Sequence, residues 1–78
     1  MIWTRLPHNP LLPSMTIWCA LAGGWQYVLG FDTQFGFWSA SAKADADPDR
    51  TRFDIGWQFK TRAEAEHAVE QHSRKVMQ

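Results

Sequence analysis

The chain has 78 residues and a mass of 9.0 kDa. A chain of this size buries only about 60% of the surface its unfolded form exposes, which excludes a two-domain enzyme, a complete dinucleotide-binding fold and a solenoid. Eight Lys and Arg balance eight Asp and Glu, so no net field steers the protein toward nucleic acid or an anionic membrane. One cysteine makes no internal disulfide, which points to a reducing compartment or to indifference to the redox environment. The unusual figure is five Trp and five Phe in so short a chain.

Charge is distributed unevenly. Residues 1–42 hold only Arg5 and Asp32, and the remaining charged residues lie in 43–78. No apolar run reaches the length of a membrane span; the stretch from Ile17 to Leu29 is broken by Gly23, Gly24 and Gln26. Ala20-Leu21-Ala22 behind Arg5 imitates a signal-peptide cleavage site, but Pro7, Pro10 and Pro13 interrupt the apolar region such a signal requires.

Residues 1–14 read as an extended arm. Proline at every third position, in Pro7-His8-Asn9-Pro10-Leu11-Leu12-Pro13, favours polyproline II and forbids helix or central strand. Ile2, Trp3, Leu6, Leu11 and Leu12 are too apolar for a solvated tail, so the arm is expected to lie over the domain formed by 15–78. Met15 offers a second translation start, because the regular pattern begins at once with Thr16.

Four strands are predicted next. Residues 16–22 and 25–31 flank Gly23-Gly24, a two-residue hairpin signal. Asp32-Thr33-Gln34 is a turn, 35–42 the third strand and Lys43–Asp49 a polar loop. Residues 50–59 form the fourth strand, with Phe53, Ile55, Trp57 and Phe59 alternating against Arg52, Asp54, Gly56 and Gln58. A helix follows. Thr61 and Glu64 fit a capping box, and Ala65, Ala68, Val69, His72 and Val76 share one face. Glu64, Glu66 and Glu70 lie toward the helix start, and Arg74 and Lys75 toward its end, as the helix dipole favours. The fold class is α+β: a four-stranded antiparallel meander with one C-terminal helix across one face.

This architecture leaves a mismatch. A two-residue turn sets Ala22 opposite Trp25, Ala20 opposite Tyr27 and Trp18 opposite Leu29. One sheet face then carries Trp18, Trp25, Tyr27, Leu29 and Phe31, and the other Ile17, Cys19, Leu21 and Val28. Each buried aromatic hides roughly 150–250 Å², yet a single helix lined by Ala and Val covers only one face. The second face needs the arm, a second copy or another protein. The expected anchor is Trp25, Tyr27 and Trp38 with Arg52, flanked by an acidic contact at Asp45, Asp47 and Asp49; aromatic residues and Arg are favoured in interface cores.

No catalytic constellation stands out, and neither cofactor nor metal is expected. Ser14, Ser39, Ser41 and Ser73 lack a nucleophile-elbow context, and Cys19 within a strand reads as a small core residue. His67 and His72 are five apart, which does not stack them as helical metal ligands four apart would be. A calcium loop counted from Asp45 requires Gly at its sixth position and Glu at its twelfth; Arg50 and Gly56 stand there. No glycine-rich phosphate loop is present.

Two resemblances bear on function. Phe59-Lys60-Thr61-Arg62-Ala63-Glu64-Ala65-Glu66, a strand entering a capped Ala-rich helix, resembles the arm-type DNA-binding domains of phage integrases. Such domains need a basic sheet face to displace counterions, whereas the outward residues of the last strand here are Arg50, Arg52, Asp54 and Gln58. In size, neutral charge, aromatic surface and lack of a catalytic set, the chain resembles the phage-encoded anti-CRISPR inhibitors. That resemblance implies a non-enzymatic, stoichiometric inhibitor acting in the cytoplasm of a bacterial host. It would bind a CRISPR effector subunit, with a type I Cascade complex the expected target, and block DNA binding or nuclease recruitment. A homodimer burying the aromatic face is the other alternative.

Overall fold

The computed structural model describes residues 1–45 and 52–76, without the side chain of Phe53. Its elements in chain order are β1 (Thr4–Arg5), β2 (Met15–Ala22), β3 (Trp25–Asp32), β4 (Phe37–Ala44), β5 (Phe53–Phe59) and α1 (Arg62–Val76). The strands form one antiparallel sheet in sequence order, and α1 packs across β3, β4 and β5. The α+β class is as expected, but the sheet has five strands rather than four.

The extra strand comes from the N-terminal segment. Thr4 pairs with Cys19 and Arg5 with Trp18, and the Leu6 amide donates to the Ile17 carbonyl at 2.8 Å. Residues 7–14 do not run on in polyproline II. The Asn9 side-chain oxygen accepts from the Leu11 amide and its carbonyl from the Leu12 amide, both at 2.9 Å, and the Leu12 carbonyl accepts from Met15. Asn competes for backbone donors in this way, and the resulting turns bring the chain back into β2. The segment therefore lengthens the sheet at its edge instead of lying over it. Trp3, one residue before β1, packs against the helix-side core.

Gly23 and Gly24 take φ of 58° and 80°, the conformation a two-residue hairpin turn demands. The β2–β3 register is the one such a turn predicts: Ala22 opposite Trp25, Ala20 opposite Tyr27, Trp18 opposite Leu29. The next turn is longer than expected. Asp32 Oδ1 accepts from the Gln34 amide at 2.8 Å and the Phe35 amide at 3.3 Å, and Gly36, at φ 74°, donates to the Asp32 carbonyl. The turn thus consumes Phe35 and Gly36, so β4 begins at Phe37 and reaches Ala44, with Lys43 paired to Gln26.

β5 departs from simple alternation. Its register against β4 shifts on both sides of Ala40, and Gln58 has φ 65°. Extra residues in one strand reset which side chains face inward. Ile55 and Phe59 pack against the core, while Trp57 is 68% exposed. Trp57 therefore does not share a face with Phe59. Gly56 is required beneath the Phe59 ring, because a Cβ there would stand 2.5 Å from Phe59 Cζ.

The core of the described residues is small. Tyr27, Leu29, Ala40 and Ala42 meet Ala65 and Val69 of α1, with Ala20 buried in β2, and the alanines on both layers let the helix approach closely. Thr61 caps α1, its hydroxyl accepting from the Glu64 amide at 3.2 Å; the Glu64 carboxylate returns to the Lys60 amide, one residue before the position a capping box uses. Ala65, Val69 and Ser73 form the buried stripe, and Val76, expected on that face, is exposed.

Candidate functional site

The residues expected to form one anchor fall on different faces. Tyr27 has no exposed surface, so it is a core residue and its place in a docking anchor is corrected. Trp25 is half-buried under the helix and meets the His72 ring edge-on, centroids 4.9 Å apart. Trp38 is half-buried at the far end of the same layer. Arg52 turns to Gln26, donating to its carbonyl and to its side-chain oxygen. Gln26 alternates with Trp25 and Tyr27 along β3, so Arg52 reaches the opposite face. Asp45 is exposed just beyond β4, its amide donating to the Gly24 carbonyl. Asp47 and Asp49 lie outside the described residues.

Two polar arrangements hold the helix-covered layer together. The Tyr27 hydroxyl is 2.9 Å from His72 Nδ1; in the imidazole tautomer protonated on Nε2, the phenol donates and Nδ1 accepts. Burial raises the Tyr27 pKa, opposed by the hydroxyl of Ser73, and burial lowers that of His72, aided by the charge of Lys75. Both shifts favour the neutral forms. At the other end, Trp38 lies 5.2 Å from Trp18 and 4.8 Å from Phe31 between ring centroids. The Arg62 guanidinium sits over them, 4.9 Å from the Trp18 centroid and 6.0 Å from that of Trp38, tied by Nε to Glu66 at 3.3 Å. The Trp cluster is thus roofed by an arginine of the chain itself.

The rings that remain open belong to other residues. Phe35 is 66% exposed, Phe37 39% and Trp57 68%. With Met15, Asp32, Trp38, Ser39 and Gln58 they line an apolar groove of about 440 Å³. Met15 and Ser39 border Gly30, where a Cβ would stand 2.9 Å from Met15 Cε and 3.1 Å from Ser39 Oγ. Its missing side chain lets these two residues close over the sheet and form the groove's inner wall. Leu21, also on the face opposite α1, is 65% exposed. The sequence pattern sets Phe35 in a strand and Trp57 on one face with Phe53, Ile55 and Phe59, and so misses this site; Gly56, paired with Ala40 at the register shifts and adjacent to Trp57, is the residue that could have signalled the bulge.

Among the described residues no group of His, Cys, Asp and Glu is arranged to hold a metal ion, and no helix is long and apolar enough to cross a membrane. His67 accepts from the Gln71 side chain at 2.9 Å on the exposed helix face. No protein-family model, curated protein or solved structure matches the chain.

Proposed function

We propose that this protein is a non-enzymatic binding module that docks a partner protein through the sheet face opposite α1. The observation that carries this reading is the groove of Phe35, Phe37 and Trp57, three exposed aromatic rings gathered where no helix lies. Exposed apolar patches on small domains mark interaction sites, and Trp is the residue most enriched among interface hot spots. The site thus moves from the helix-covered tryptophans to the opposite face, and the functional class stays that of a small inhibitor resembling anti-CRISPR proteins. A phosphate-binding role has weaker support: Arg52 is engaged by Gln26, and the groove contains Asp32.

Calorimetric titration of the full chain into a purified type I Cascade complex tests the reading. Binding is expected, with Trp57→Ala weakening it by about 2 kcal/mol, roughly 30-fold, as a hot spot does. Binding that is indifferent to Trp57→Ala and Phe35→Ala would remove the groove from the interface. Absence of binding would remove this target.

A further inference from the structure

The groove carries a second feature besides its rings. Among the described residues lining it, Asp32 is the one that is formally charged. Its Oδ1 is fixed by the amides of Gln34 and Phe35, and no cationic side chain forms a salt bridge with it among the described residues. The turn therefore holds a carboxylate in a set orientation at the wall of an aromatic groove. A wholly apolar occupant would desolvate that carboxylate with no cation to offset its charge, which is costly, and a nucleic acid would bring phosphate against it.

Resting on the binding-module reading, we infer that the groove receives an arginine side chain from an apolar segment of the partner protein, its guanidinium set against Asp32 and the aromatic rings. Cations are attracted to the faces of Trp and Phe, and Arg more often than Lys. The guanidinium is planar, weakly hydrated and suited to both ring stacking and carboxylate pairing. The groove's volume of about 440 Å³ falls in the range of roughly 300–1,000 Å³ typical of ligand sites, room for that side chain with its apolar neighbours. Trp57 stands beside Gln58, whose φ of 65° is unfavourable for a non-glycine residue. Such backbone strain concentrates at ligand clamps, and here it adjoins a wall of the groove.

The probes are two peptides, acetyl-Leu-Arg-Leu-amide and its citrulline counterpart, which keeps the shape and removes the charge. Each is titrated into the isotopically labelled full chain and followed by NMR. The expected result is shifts concentrated at the Trp57 indole N–H and the amides of 32–39, with the arginine peptide roughly five- to tenfold tighter, the gain of an exposed cation–π contact and ion pair together. Asp32→Asn, whose side-chain oxygen keeps both turn hydrogen bonds, should erase that ratio. Equal affinity for the two peptides, shifts elsewhere, or an unchanged ratio in Asp32→Asn would overturn the inference. So would a concentration-dependent dimer, seen by light scattering, that closes the groove with a second copy. If Trp57→Ala still weakens capture of the protein partner while the peptide ratio stays at one, the arginine assignment fails alone and the docking groove stands.

Discussion

Tyr27 is the largest side chain among those with no exposed surface, and its hydroxyl has to be satisfied within the sheet–helix layer. His72 and Ser73, adjacent on α1, supply the partners. Tyr27→Phe keeps the ring and removes the oxygen that both address, so it should cost about 1–2 kcal/mol in urea denaturation. The same contact makes stability depend on pH. His72 has its pKa lowered from 6.5 in the fold, by burial first and then by Lys75. Below that value the unfolded chain takes up a proton that the folded chain resists. The contribution of neutral His72 is therefore complete above the ordinary value and is lost as pH falls beneath it. Tyr27, raised above 10.0 by burial, acts in the opposite sense, its contribution complete below that value and lost as pH rises beyond it. Between about pH 7.5 and 5.5 the urea midpoint should fall, and His72→Gln should flatten that decline; an equal slope in the variant would remove His72 as its source.

Each element owes its limits to a few local residues, and those residues decide what substitution costs. Gly24 has φ 80° with nothing within 4 Å of a would-be Cβ, so Gly24→Ala meets no clash. Its cost is the left-handed backbone alone, about 1–2 kcal/mol, readable as a lower thermal midpoint. Thr61→Ala removes the acceptor for the Glu64 amide and should cost about 1 kcal/mol. Both features were legible in the sequence, because a Gly-Gly turn and an N-cap are set by residues adjacent in the chain. The hairpin register followed from the turn and placed Trp18, Trp25, Tyr27 and Leu29 on one face. What escaped depends on partners distant in sequence. Two residues, Thr4 and Arg5, become a strand only because the β2 edge is present to pair with them. Trp57 leaves its expected face because β5 must fit β4 through two register shifts. Arg62 roofs Trp18 and Trp38 only once α1 lies across the sheet, a placement that capping residues do not specify.

At the scale of the whole molecule, the sheet has unequal faces. On one, alanines from β4 and α1 bring the layers together around Tyr27, Leu29 and Val69, and Arg62 closes over the tryptophans at the end. On the other, Leu21, Phe37 and Trp57 remain open, with Phe35 beside them in the turn. Two tryptophans separate the faces experimentally. Trp38 is packed between Trp18 and Phe31 beneath Arg62; its truncation removes ring contacts on both sides and leaves a cavity. Trp38→Ala should therefore destabilise by about 3 kcal/mol. Trp57, at 68% exposure, contributes little to the same balance, and Trp57→Ala should change stability by no more than about 0.5 kcal/mol, as surface substitutions do. Urea denaturation of the two variants reads both values. If Trp57→Ala proved as damaging as Trp38→Ala, the ring would belong to the fold, and its exposure would no longer argue for a partner. A stable Trp57→Ala that has lost binding would instead assign the ring to recognition, on a face that contributes little to folding.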